Sequence, residues 1–331
     1  MLLNLGEQTF GEEEIDEIVK LFRSGVKLTM GKHVMEFEKK FADYIGSNFA
    51  LMVNSGSSAN LLAVAAACNP LRSKRLCPGD KVYVPSICWS TSVFPLIQYN
   101  LVPVFLDINF DNLNIDLENI KFEEDIKAIM CVHILGNSTK ILELAEICKK
   151  KNIIMIEDTC ESLGSVYKNN KLGTFGDFGT FSFYFSHHIT TIEGGMIVCN
   201  NEDDYEILKC LRSHGWDRDQ KNKNKNEEVD ERFCFINLGY NLRPMEMQGL
   251  MGKVQLKKLD SMSALRKKNR EKIIKCLVNH PYNKNIIDFH KESPHCDTNW
   301  FSVPLYVNDD CDMDDFLLYL FTLQPILPLH Y

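Results

Sequence analysis

Apolar residues recur at helical spacing in GKHVMEFEKKFADYIG, where Val34, Phe37, Phe41 and Tyr44 share one face and Gly46 stands where a helix stop is expected. Downstream the pattern changes to short apolar runs at 50–53, 81–86, 102–106, 128–135 and 152–158, separated by helical stretches. Strands alternating with helices at that spacing predict a mostly parallel sheet covered on both faces. Two further runs, 179–185 and 194–199, are closely spaced and are expected as antiparallel neighbours or sheet-edge strands. From Pro244 to about Cys276 the pattern is helical, and the tail from about 280 reads as mixed α/β. No internal repeat interrupts this plan. The one strongly polar run, QKNKNKNEEVDE at 220–231, is expected to be an exposed loop.

At 331 residues, with 45% hydrophobic and 25% charged positions, the chain has ordinary globular composition and room for one large or two unequal domains. Its net charge of −8 argues against nucleic acid or an anionic membrane as a general partner, so any bound anion must be held by a local site. The start, MLLNLGEQTFGEEEIDEI, lacks the basic head and apolar stretch of a signal peptide, and no apolar run reaches the ~18 residues of a membrane span. A cytoplasmic protein is expected. The 12 cysteines are scattered and form no CxxC pair, so they are read as reduced, mostly buried thiols rather than disulfides or metal ligands.

In a parallel α/β sheet, ligands sit beyond the carboxyl ends of the strands. Four places there carry candidate chemistry. NSGSSAN at 54–60 precedes a helical stretch, with Gly56 permitting a tight turn and Ser57 and Ser58 opening the helix. Such an N-terminus is an anion cradle, although small residues there also fit a simple N-cap. Asp158 ends the run at 152–158, with Glu161 three residues on. A carboxylate in that position could bind Mg²⁺, act as a base or hold a protonated ring nitrogen, and a loop or capping acid fits equally well. Trp89 follows the run at 81–86 and could stack on a flat ring. Finally, FSFYFSHHITTIEGG carries Ser182, His187, His188 and the Gly194–Gly195 pair. Adjacent histidines on an extended segment point to opposite sides, so at most one of the two belongs to a site and they do not share a metal.

Taken in order, NSGSSAN, the Trp after the next strand, ED..ESLG, GTFGDFGTFSFY, EGGMIV and LGYNLRPMEMQG resemble the DegT/DnrJ/EryC1/StrS family of sugar aminotransferases and dehydratases, over about residues 4–305. The resemblance implies a pyridoxal-phosphate-dependent transferase of fold type I, aspartate aminotransferase-like: a large α/β domain at 1–245 and a short, smaller C-terminal α/β domain at 246–331. It implies pyridoxal 5′-phosphate or pyridoxamine 5′-phosphate as cofactor. Gly56, Ser57 and Ser182 match positions that hold the cofactor phosphate, Trp89 the ring-stacking position, Asp158 the partner of the pyridinium nitrogen, and Glu161 a residue near the ring hydroxyl. Asn241, in GYNLRP, matches a residue that reaches the phosphate in the neighbouring subunit, which implies a homodimer with shared sites. A carboxylate at the ring nitrogen keeps it protonated, and a protonated ring is the better electron sink.

One departure matters. Family aminotransferases place a Schiff-base lysine five residues after the phosphate-binding serine, but here Ser182 plus five is His187, and no lysine occurs between Lys171 and Lys209. An imidazole cannot tether the cofactor but can take a proton near neutral pH. The same replacement, with a segment similar to HHITTIEGG, marks a smaller branch of the family, the 3-dehydratases of nucleotide-linked 4-keto-6-deoxyhexoses in deoxysugar and polysaccharide biosynthesis. That branch implies a nucleotide-sugar substrate, an amino donor such as glutamate, and His187 as the catalytic base. A related dehydrase carries an iron–sulfur cluster on downstream cysteines, but residues 212–234 here hold only Cys234, so no cluster is expected. Two alternatives remain open on the residues alone: an aminotransferase with an unconventional base, and an inactive scaffold homologue.

Overall fold

The computed structural model describes residues 9–221, 230–279, 286–308 and 311–316. Two helices come first, α1 (Glu12–Arg23) and α2 (Lys32–Ile45), and Gly46 ends α2 in a left-handed conformation at φ 87°, which glycine alone adopts freely. The chain then alternates: β1 (Phe49–Val53), α3 (Gly56–Ala67), β2 (Lys81–Pro85), α4 (Ser90–Gln98), β3 (Val102–Leu106), β4 (Ile126–Val132), α5 (Ile141–Lys151) and β5 (Ile154–Asp158). Two short strands, β6 (Val166–Tyr167) and β7 (Asn170–Lys171), precede β8 (Phe178–Ser182), β9 (Gly195–Cys199) and α6 (Glu202–Arg212). The long helix α7 (Glu246–Val278) leads to β10 (Ile286–Phe289), β11 (Cys296–Asp297) and β12 (Leu305–Val307).

The main sheet has seven strands in the order β1-β9-β8-β5-β4-β2-β3. Only β9 runs against the rest: it pairs antiparallel with β1 and β8, while β8, β5, β4, β2 and β3 pair in parallel. The antiparallel pairing expected for 179–185 and 194–199 is present, and both strands lie inside the sheet, not at its edge. The apolar run 128–135 is shorter as a strand than its pattern suggests. Strand β4 stops at Val132, and residues 134–136 form a 3₁₀ turn with Leu135 at φ 56°. Residues 222–229 of the polar run lie outside the described residues.

Period-two alternation explains how the sheet is covered. Val82, Val84, Met130, Ile154 and Ile156 point to one face and meet Leu62 and the alanines of α3 together with Leu208 and Leu211 of α6. Tyr83, Ile129, Cys131 and Met155 point to the other and meet Ile141, Leu144 and Cys148 of α5. Four rings, Phe37, Phe41, Phe181 and Phe183, lock α2 onto that second side with centroid spacings of 5.1–5.9 Å. Each such buried ring contributes about 1.5–3 kcal/mol through lost water contact.

Helix α7 is joined to α2 by an acid. The buried Glu246 carboxylate accepts the backbone N–H groups of Gly31, His33 and Val34 at 2.8, 2.9 and 3.1 Å, capping a helix distant in sequence. Gly249 and Gly252 allow the close crossing: an added Cβ would sit 2.6 Å from the Val34 backbone and 2.4 Å from the Phe37 ring respectively. The segment after α7 divides between two small sheets. Strands β10 and β12 pair with each other, and β11 pairs with β6. No helix among the described residues is long and apolar enough to cross a membrane. All 12 cysteines are free; six are buried, five are half-buried and only Cys77 is exposed.

Candidate active site

The carboxyl ends of the parallel strands, with the loops that follow them, gather most of the candidates. Helix α3 begins directly after β1, and Ser55 caps it by accepting the Ser58 N–H at 3.0 Å. Ser182 closes β8 against this turn. A Cβ at Gly56 would lie 2.5 Å from the Ser182 Cβ, so only glycine lets the helix start pack on the strand end. Gly195 serves the same purpose from β9, since its Cβ would lie 2.2 Å from the Ser55 carbonyl. The result is a helix N-terminus flanked by the exposed Ser57 and the mostly buried Ser182, a set of donors suited to a dianionic phosphate.

Asp158 ends β5 and is buried. Its Oδ2 accepts Asn60 Nδ2 and Ser92 Oγ, both at 2.7 Å, and its Oδ1 accepts the Cys160 N–H at 3.1 Å. With Oδ2 occupied twice, Oδ1 keeps acceptor capacity for one more donor. Glu161, three residues on, accepts the Leu135 N–H at 2.8 Å. Burial pushes its carboxyl above the usual range and the nearby Asp158 charge adds to that, against the lowering effect of the Leu135 hydrogen bond.

The loop between β8 and β9 separates the two histidines. His187 Nδ1 lies 2.8 Å from the Cys160 carbonyl, which can only accept, so Nδ1 carries the proton and Nε2 is the basic nitrogen. Its ring packs edge-on to Phe301 at 5.1 Å. Burial holds the His187 pKa below the ordinary 6.5, helped by the Arg266 charge and opposed by the Cys160 hydrogen bond and Asp158. His188 turns the other way. It is buried, donates Nε2–H to the Asn299 carbonyl at 2.8 Å, and is driven well below 6.5 by burial. Of the two, His187 alone is bonded into the Asp158 loop.

Trp89 occupies the N-cap position of α4, three residues before the Ser92 that binds Asp158, and is 70% exposed, an unusual state for an indole without a stacking partner. Asn241 is exposed and accepts Arg243 Nε at 3.1 Å; no hydrogen bond among the described residues joins it to the Asp158 network. The flanking lysines are engaged elsewhere. Lys171 places Nζ over the Tyr44 ring, and Lys209 pairs with Glu206 at 2.7 Å. Among the described residues no three His, Cys, Asp or Glu side chains cluster as a metal site requires.

These groups fit a phosphorylated pyridine. Phosphate donors lie at one end, an oriented carboxylate that only accepts from its neighbours lies at a strand end, and an exposed indole begins the helix whose Ser92 binds that carboxylate. Sequence reasoning missed Asn60, Ser92 and Thr180, whose hydroxyl donates to Asn60 Oδ1 at 2.6 Å. Asn60 carried a readable signal, being four residues after Gly56 and so on the same helix face. Ser92 and Thr180 gave none, because their roles depend on contacts between elements distant in sequence.

Several known proteins are similar to this chain. The model of the DegT/DnrJ/EryC1/StrS aminotransferase family matches residues 8–323. The GDP-4-keto-6-deoxy-D-mannose 3-dehydratase of Escherichia coli O55:H7 is 40% identical over 314 residues, covering 92% of this chain and 79% of that protein. The E. coli GDP-4-keto-6-deoxy-D-mannose-3-dehydratase structure with bound hydrated PLP superposes with a TM-score of 0.89 at 38% identity, covering 97% of this chain and 84% of that one. A further structure, GDP-4-keto-6-deoxymannose-3-dehydratase with a trapped PLP-glutamate geminal diamine, gives 0.89 at 37% identity, covering 98% and 84%. The fold is that of the pyridoxal-phosphate-dependent aminotransferases.

Proposed function

The chain belongs to the DegT/DnrJ/EryC1/StrS aminotransferase family, and on that premise we propose that it is a 3-dehydratase, removing the C3 hydroxyl of a nucleotide-linked 4-keto-6-deoxyhexose in deoxysugar biosynthesis. The observation that carries this reading is His187, a proton acceptor fixed by Cys160 at the position where a transaminating enzyme needs a primary amine. GDP-4-keto-6-deoxymannose, named in the similar dehydratases, is the substrate to test first. Glutamate, named with one of them, is the amino donor to test.

Gly56, Ser57 and Ser182 would hold the cofactor phosphate by backbone and hydroxyl donors, Trp89 would stack on the ring, and Asp158 Oδ1 would accept the ring N–H. Glu161 would lie near the ring hydroxyl. When bound, pyridoxamine 5′-phosphate supplies the amine that joins the C4 ketone and the ring that takes up electron density. His187 Nε2, the basic nitrogen, would serve as the proton acceptor in that chemistry, with the C3 hydroxyl departing as water. With no lysine between Lys171 and Lys209, no side chain of this segment would tether the cofactor covalently. No cysteine cluster supplies iron–sulfur chemistry in this reading, so the electrons come from the amino donor.

The same reading makes the enzyme a homodimer in which Asn241 of one copy reaches the phosphate in the other. The exposed Phe233, Phe235 and Leu238 just before Asn241 suit such a contact. It also divides the chain at 245/246 into a cofactor domain and a smaller domain, and puts the enzyme in the cytoplasm, where twelve free cysteines stay reduced.

His187→Lys tests the assignment. The variant is expected to gain a covalent pyridoxal-phosphate adduct, read by intact mass and by absorbance, and to lose 3-deoxygenation. Undiminished deoxygenation in that variant would overturn the role given to His187.

A further inference from the structure

Asn60 and Thr180 form a second connection between two elements that already meet at the phosphate cradle. Helix α3 touches β8 first at Gly56, packed on Ser182, and again four residues on at Asn60, bonded to Thr180, which lies two residues before Ser182. Four helical residues advance about 6 Å and two strand residues about 6.6 Å, so the two contacts stay in step. Asn60 and Thr180 are fully buried. The amide orientation is fixed by chemistry: Asp158 can accept but not donate as a carboxylate, so Nδ2 faces it and Oδ1 faces the Thr180 hydroxyl. Thr180 is itself anchored, its Oγ1 lying 3.2 Å from the Glu157 carbonyl on the strand that carries Asp158.

We infer that Asn60, held by Thr180, is a positioning residue that sets the Asp158 carboxylate at a fixed distance from the phosphate cradle, leaving Oδ1 as the one acceptor presented to a ligand N–H. The inference rests on the cofactor reading above and extends it. Ser92 supplies the second bond to Oδ2 from α4, whose N-cap is Trp89, so α3 and α4 both donate to one oxygen. A ligand with one phosphate arm and one ring nitrogen would use both contacts. A phosphate without the ring uses only the first contact.

The experiment compares the full chain with Asn60→Ala. Equilibrium dialysis measures pyridoxal 5′-phosphate and inorganic phosphate separately, and NMR of pyridoxal phosphate carrying heavy nitrogen in the ring reports whether that nitrogen is protonated. In the variant, affinity for pyridoxal phosphate is expected to fall about tenfold, as for losing one hydrogen bond to a charged group. Inorganic phosphate affinity is expected to stay within about twofold, and the ring-nitrogen signal to move toward its unprotonated position. A merely structural role would weaken both ligands together and leave the nitrogen signal of the remaining complex unmoved. That outcome, or unchanged binding and an unchanged signal, overturns the inference. Thr180→Val, which keeps the side-chain shape, is expected to move the same two readouts less and in the same direction, and it decides the matter if Asn60→Ala does not fold. Failure of the unaltered chain to bind pyridoxal phosphate overturns the cofactor reading and this inference with it, whereas binding that is indifferent to both substitutions overturns this inference alone.

Discussion

At the scale of the residue, two neighbouring histidines of the same kind have opposite fates because of which carbonyl each one meets. His188 is spent on Asn299 in the interior, and His187 is bonded at Cys160 beside Asp158. Burial lowers the His187 pKa below 6.5, so the neutral, proton-accepting form persists to more acidic pH than for a free imidazole. A base with a lowered pKa keeps kcat/KM to more acidic pH than an ordinary histidine would and loses it as pH falls through the lowered pKa. A pH series of kcat/KM with the nucleotide-linked keto sugar is expected to place the acidic limb below 6.5. A limb centred above the ordinary value would mean that another group sets it, or that a negative neighbour outweighs burial.

At the scale of the element, the start of α2 depends on a carboxylate from α7. Glu246 accepts three backbone N–H groups near the first turn of α2, and it does so from a buried position. Glu246→Ala leaves those donors without a partner, and the expected loss of stability is about 2–4 kcal/mol by chemical denaturation, with Glu246→Gln losing less. A loss below about 0.5 kcal/mol would show that water replaces the carboxylate at no cost. This cap was not readable in advance, because Gly31 and Glu246 are far apart in the chain and neither carries a local capping signal for the other. What could be read was local. The stop at Gly46, the alternation that defines β1 to β5 and the length of α7 follow from periodicity and punctuation. The early end of β4 did not, since apolar residues continue through Leu135 while the backbone turns away beneath the Asp158 loop.

At the scale of the whole molecule, the site is assembled from segments spread over much of the chain, and its legibility divides along the same line. Gly56, Ser182, Asp158, Glu161 and His187 lie at or within a few residues after strand ends, so the rule that ligands sit at strand carboxyl ends singled them out as candidates, and the family resemblance supplied their roles. Asn60, Ser92 and Thr180 became visible only once α3, α4, β5 and β8 were packed together. Under the proposed function, a phosphate cradle, an acceptor for a ring nitrogen and a base that cannot form a covalent tether would discard nitrogen rather than install it. The most direct test follows that nitrogen. Given pyridoxal phosphate, a nucleotide-linked 4-keto-6-deoxyhexose and glutamate carrying heavy nitrogen, the enzyme is expected to release the label as free ammonium while the sugar becomes lighter by one oxygen. Heavy nitrogen retained in the nucleotide sugar, with its oxygen count at C3 intact, would contradict the account.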